Sequence, residues 1–293
     1  MSRGESLPAD LVGPLRDSAA LIADPSALRQ RLAQDGYVFL RGALPETDVA
    51  AARAAVLAHL ASVGEVAEPV AEARFSGTSR RKEAAPDLGA FWRAISEHPA
   101  VRRVSHGPAL RAVAEAALDC PALGQDFIFL RAGVRGRATN LHYDYPFFAQ
   151  TTERTLTCWV PLGDVAVEDG PLVVVEGSNR FADLIQGAKD YQGVHGPKTS
   201  LDISMQAFAR TRSARLLTEN YKAGDLVVLG MLTLHGALDN HSDRIRLSFD
   251  VRWQPAHEPR DMRYWGNPPP GMTGRSYGEL NGAKPLTEDW HQR

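Results

Sequence analysis

Cysteine is nearly absent from this sequence. Its 293 residues hold two, Cys120 and Cys158, too few for a disulfide framework or a four-cysteine zinc site, so a reducing, cytoplasmic setting is expected. A long apolar run is missing as well. The first 24 residues are broken by Pro8 and Pro14 and read neither as a signal peptide nor as a membrane span. Neither sign of charge dominates: 33 Lys and Arg stand against 35 Asp and Glu, a formal charge of −2. Without a basic block there is no footprint for nucleic acid, and the expected partner is a small molecule. The rest of the composition, 44% hydrophobic and 23% charged, is that of a folded globular chain. What stands out is nine histidines, and their placement decides the chemistry.

Two textures follow one another along the chain. Residues 25–120 read as mainly helical. A helix capped by Ser26 runs to Gln34 and stops at Gly36, the apolar run Tyr37–Leu40 forms a strand, and an alanine-rich helix starts at Thr47 or Asp48 and ends at Ala61. Residues 64–87, which carry Arg80, Arg81 and Lys82, read as a solvated loop. Residues 88–118 return to helix, with Pro99 and Pro108 at first-turn positions. From 121 to 255 short β-rich runs take over, at 127–134, 155–160, 172–175, 226–229 and 245–253, with Gly-, Asn- and Asp-bearing turns between them. The pattern is that of an α+β chain whose mainly β core is a barrel or jelly roll. Residues 182–218 interrupt the strands as a lid-like insertion. The tail, 256–293, reads as irregular and wraps back through Tyr264, Trp265 and Tyr277. One domain is expected across 1–293, since elaborated barrels reach this length.

The sharpest motif is Asn140-Leu141-His142-Tyr143-Asp144-Tyr145. In extended chain, residues two apart project to the same side, so His142 and Asp144 converge. His235, which follows an apolar strand, is the best third ligand. Two histidines and a carboxylate on one face leave positions open and select non-heme Fe(II) for oxygen chemistry. By itself the His-x-Asp triplet also fits a surface histidine beside an acid. Segment 244–252 then alternates: Ile245, Leu247, Phe249 and Val251 face one way, Arg244, Arg246, Ser248 and Asp250 the other. That polar face fits a solvent-facing edge strand, or an enclosed anion gripped by Arg246 with the Ser248 hydroxyl beside it. Thr155, Thr157 and Trp159 share a face that points to the lumen.

Together these segments resemble the phytanoyl-CoA dioxygenase family of Fe(II)- and 2-oxoglutarate-dependent oxygenases, over about residues 34–254. Asp35 to Pro45 is similar to the family's opening strand and helix start, and His142-Tyr143-Asp144 to its metal-binding pair. The stretches Trp159 to Asp164 and Glu168 to Ser178 look like its run into a Gly-Ser turn. His235-Gly236, with Arg246 eleven residues on, resembles its distal histidine and co-substrate arginine. Asn179 stands where the family often has His, and Tyr143 where it often has Gln.

The resemblance implies a double-stranded β-helix (a cupin-like jelly roll) with flanking N-terminal helices. It implies Fe(II) on His142, Asp144 and His235, and 2-oxoglutarate on Arg246 and Ser248 with Trp159, Thr139 and Gln125 in reach. The oxidant is O2, and ascorbate supports activity. The implied reaction is oxidative decarboxylation of 2-oxoglutarate to succinate and CO2, coupled to hydroxylation of a small substrate. Related halogenases have a small residue where Asp144 stands, so chlorination is not expected. Phe129, Arg131, Arg137, Tyr143 and Tyr145 are the expected substrate contacts. The competing readings are another cupin-type metal enzyme, which needs no 2-oxoglutarate clamp, and a catalytically silent binding protein on the same fold. Among the other histidines, His98, His106, His195, His257 and His291 lack a partner at ligand spacing, while His59 sits within the alanine-rich helix and His241 in a turn-like sequence.

Overall fold

The computed structural model describes residues 1–2, 4–84, 88–136, 138–190 and 203–266. Local chemistry sets its first helix. Pro25 suits the first helical position, where its missing N–H costs nothing, and the Asp24 carboxylate caps the turn by accepting from the Ala27 N–H at 3.0 Å. Helix α1 (Pro25–Asp35) therefore begins just ahead of Ser26. It ends at Gly36, whose φ of 79° is the left-handed conformation that glycine adopts without strain. Helices α2 (Glu46–Ser62), α3 (Arg81–Ala84), α4 (Leu88–Ser96), α5 (Pro99–Ser105) and α6 (Pro108–Leu118) complete the N-terminal part.

The described strands form two five-stranded sheets. The larger runs β2 (Tyr37–Leu40), β8 (Leu226–Gly230), β5 (Leu156–Pro161), β10 (Arg246–Pro255), β3 (Ala122–Gly133), antiparallel throughout. The smaller runs β1 (Val12–Gly13), β7 (Leu216–Leu217), β6 (Leu172–Val175), β9 (His235–Ala237), β4 (Thr139–His142), antiparallel except for β1 against β7. This is the jelly roll that the sequence pattern predicts, with one correction to its limits. The sheets are not confined to 121–255, because β1 and β2 come from the N-terminal part and pair with β7 and β8.

Side-chain alternation gives the larger sheet an outer and an inner face. Val38, Leu40, Val160, Val228, Phe249 and Trp253 pack outward on Val49, Val56, Leu60 and Leu110 of the helices. Tyr37, Phe39, Trp159, Val227 and Leu229 pack inward against Leu172, Val174 and Leu217 of the smaller sheet. Strand β10 lies between β5 and β3, and all ten of its residues are buried. It is no edge strand, so its polar face looks into the lumen and the solvent-facing alternative falls.

Two other expectations change. After the short helix α7 (Tyr145–Phe148), the described parts of 182–218 form α8 (Ala182–Lys189) and α9 (Met205–Arg212) as well as β7. The two helices cover the outer face of the smaller sheet, with Ala188, Met205, Phe208 and Ala209 against Val173, Val175 and Leu216; residues 191–202 lie outside the described residues. Segment 64–87 is not simply solvated. Arg81 is buried, its Nη2 lies 2.5 Å from Glu65 Oε2, and its guanidinium sits over the rings of Phe91 and Trp92. The tail does turn back as far as it is described: Tyr264 and Trp265 pack with Phe127 and Phe148, while Tyr277 lies outside the described residues. No described helix is long and apolar enough to cross a membrane.

Candidate metal centre

His142 ends β4, Asp144 follows two residues later, and His235 opens β9. Antiparallel pairing of β4 with β9 sets His142 directly opposite His235, so the two imidazoles meet with ring centroids 4.4 Å apart. One donor atom from each of His142, Asp144 and His235 lies within 4.8 Å of the other two. The Gly177-Ser178 turn steadies this corner: the Ser178 hydroxyl oxygen accepts from the Leu234 N–H at 2.9 Å.

Hydrogen bonds prepare both histidines as ligands. Nδ1 of His142 contacts the Asn140 carbonyl oxygen at 2.8 Å, and Nδ1 of His235 contacts that of Thr233 at 2.9 Å. A carbonyl oxygen only accepts, so each Nδ1 carries the proton and each Nε2 keeps its lone pair for a metal. Burial first, and then the neighbouring His235, push His142 down to about 4, so it is neutral at physiological pH. Burial alone would raise the Asp144 carboxyl. Arg252, His235, His142 and the Thr157 hydroxyl outweigh it and hold Asp144 far below the usual carboxylate range. Two imidazole nitrogens and one carboxylate oxygen form the set that suits Fe(II) with open positions.

Arg246 stands on the same lumenal face of β10. It is 6% exposed and its Nη1 donates to Ser248 Oγ at 3.0 Å. No carboxylate among the described residues lies within 4.0 Å of it, and burial, with Arg131 nearby, lowers its guanidinium to about 10. Gly133, paired with it across β3 and β10, makes the space: a Cβ there would come within 3.2 Å of Nε and Nη2.

The other predicted residues divide. Trp159 is 2% exposed in the core between the sheets, its ring 4.7 Å from that of Tyr221. Thr139 is on β4, opposite Ala237. Gln125 is fully buried, with no hydrogen-bond partner for its amide N or O among the described residues. Phe129 belongs to an aromatic cluster with Phe127, Phe148 and Trp265, and Arg131 stacks over it at 4.1 Å while binding Asp250 at 2.7 Å.

Two expected substrate contacts have bonding partners within the fold. Tyr143 packs in the cluster outside the smaller sheet and donates to the Ser178 carbonyl at 3.0 Å, because the residue between two inward-facing ligands must point outward. Tyr145 turns its hydroxyl to Glu153 at 2.5 Å, beside Lys189. Arg137 lies outside the described residues.

Sequence reasoning missed Arg252 and Thr157, which both bind Asp144. The signal was present: Arg252 continues the even-numbered polar face of β10, and Thr157 the face of Thr155 and Trp159.

The sequence profile of the Phytanoyl-CoA dioxygenase (PhyH) family matches residues 32–248. The chain belongs to that family. Solved structures share the fold of this family member. They include the non-heme alpha ketoglutarate dependent carbocyclase SnoK from nogalamycin biosynthesis (TM-score 0.56, 22% identity, 94% of this chain and 96% of that one). The epimerase SnoN, in complex with Fe3+, alpha ketoglutarate and nogalamycin RO, has a TM-score of 0.52 at 24% identity, over 85% and 89% of the two chains. EctD from S. alaskensis with 2-oxoglutarate and 5-hydroxyectoine has a TM-score of 0.52 at 16% identity, over 92% and 91%. No curated protein matches the sequence significantly. Iron and 2-oxoglutarate are the cofactors that fit this centre: its donor set is right for the metal, and a buried, carboxylate-free guanidinium is right for a dicarboxylate.

Proposed function

We propose that the protein is an Fe(II)/2-oxoglutarate-dependent dioxygenase that hydroxylates an unactivated C–H bond of a small organic substrate, converting 2-oxoglutarate to succinate and CO2. One observation carries this reading. Arg246, a buried cation with only a hydroxyl for a partner among the described residues, shares a lumenal face with Arg252, which contacts the Asp144 ligand. A cupin-type enzyme without a co-substrate has no use for that arginine, and a silent binding protein has no use for three ligand-ready donors.

The geometry supports these roles. His142, His235 and Asp144 would hold the metal. Arg246 and Ser248 would grip the far carboxylate of 2-oxoglutarate, with Trp159 as a wall and Thr139 and Gln125 as further polar contacts. When bound, iron and 2-oxoglutarate supply the oxidising chemistry. The chain's own work is to orient the substrate and keep water out, for which Phe129 and its aromatic neighbours form one wall and Arg131 offers a cation. Because SnoN and SnoK are described as an epimerase and a carbocyclase, the product must be read directly.

The test incubates purified protein with Fe(II), ascorbate, 2-oxoglutarate and candidate substrates, following succinate and a 16-mass-unit gain on the substrate. Succinate formation that disappears in His142→Ala supports the reading. Wild-type protein that neither binds Fe(II) nor consumes 2-oxoglutarate overturns it.

A further inference from the structure

Asp144 is held unevenly. Its Oδ2 accepts from Thr157 Oγ1 at 2.5 Å and from Arg252 Nη2 at 2.9 Å. Its Oδ1 instead faces His142 Nε2, 3.6 Å away. Both donors are rigidly placed. Thr157 and Arg252 are paired across β5 and β10, the Arg252 side chain is 2% exposed, and its guanidinium lies 3.9 Å from the centre of the Phe148 ring.

We infer that Arg252 is a positioning residue that sets how Asp144 binds the metal, an inference that rests on the iron reading above. A carboxylate oxygen offers about two lone-pair directions, and the two donors occupy both on Oδ2. Only Oδ1 is left for the ion, so the carboxylate binds through one oxygen. A second bond from Asp144 would take one of the open positions that this type of centre needs for its co-substrate and oxygen. The arrangement has an electronic consequence as well. A guanidinium on the outer oxygen draws charge from the carboxylate, making it a weaker donor and the metal less electron-rich. Thr157 contributes in the same direction through a neutral hydrogen bond. Phe148 limits the guanidinium to one plane, so it cannot swing toward Oδ1.

The test uses anaerobic titration of purified protein with Fe(II) and then 2-oxoglutarate, following the visible charge-transfer absorption of the complex, with no substrate required. Arg252→Met is expected to move that band to longer wavelength, because electrons leave a richer metal more easily. It should also weaken Fe(II) binding roughly 10- to 100-fold, as expected for partners of metal ligands, and 2-oxoglutarate binding with it. Arg252→Lys keeps the charge and should hold the band near its wild-type position. Thr157→Val, a near-isosteric change that spares the ion pair, should shift the band less and in the same direction, and serves if Arg252→Met does not fold. A folded Arg252→Met protein with wild-type band position and 2-oxoglutarate affinity overturns the inference, as does an unshifted band in Thr157→Val. Wild-type protein that shows no band at all refutes the iron reading instead.

Discussion

Arg246→Met separates stability from function at a single position. The buried guanidinium is lowered from 12.5 to about 10 by burial and by Arg131. At about 1.4 kcal/mol per pH unit, keeping it charged costs the ligand-free fold about 3 kcal/mol, and that cost is present at every pH below about 10. Methionine has similar length and no charge, and replacing buried ions with apolar groups is often neutral or stabilising. The ligand-free variant is therefore expected to resist urea at least as well as wild type. Binding moves the other way. Truncating one partner of a buried charge pair costs roughly 2–5 kcal/mol, which is roughly 30- to 4,000-fold in the 2-oxoglutarate dissociation constant. Calorimetry under anaerobic Fe(II) measures that loss, and urea denaturation with and without 2-oxoglutarate measures both effects. The co-substrate should stabilise wild type and leave the variant unmoved. A ligand-free variant destabilised by more than about 1 kcal/mol that still binds 2-oxoglutarate normally would refute the reasoning.

The same site and its scaffold yield further expectations. Gly133→Ala places a Cβ 3.2 Å from two guanidinium nitrogens of Arg246; 2-oxoglutarate affinity should fall while Fe(II) affinity holds, and equal losses in calorimetry would contradict the assigned role. His106 is pushed down to about 4, by burial first and then by Arg102. Its unfolded value is near 6.5, so the stability it contributes is complete above pH 6.5 and lost as pH falls toward 4. His106→Gln should flatten that part of the stability curve, and an unchanged slope would sink the account. Glu65→Gln leaves Arg81 buried without its anion and should cost about 3–5 kcal/mol in chemical denaturation; a loss below about 1 kcal/mol would mean that the pair is hydrated.

Motifs that depend on near neighbours were legible in the sequence. The His142 and Asp144 pair, the alternation along 244–252 and the stop at Gly36 all follow from spacing, and β6 spans the predicted residues 172–175. Short strands were not. β7 and β9 have two and three residues, too few to establish a period, and exist because neighbouring strands supply their hydrogen bonds. Arg81 sits in a polar run, and only α4, arriving with Phe91 and Trp92, makes it a buried residue. Tyr143 looked available for substrate until α8 and α9 closed over the outer face it points to.

The sequence by itself determined the class of chemistry. It places two ligands two residues apart on an extended strand, a third histidine after an apolar run, and Arg246 on a polar face in phase with Ser248. Each of these is a matter of spacing along one chain, which backbone geometry converts directly into a shared side. The tertiary structure alone decided which groups surround the candidate ligands. The β4–β9 register brings His235 opposite His142, and the β5–β10 register brings Thr157 and Arg252 onto one oxygen of Asp144. Those partners lie 13 and 108 residues from it. Contacts at such separations are set by strand pairing and burial across the whole domain, which no local pattern encodes.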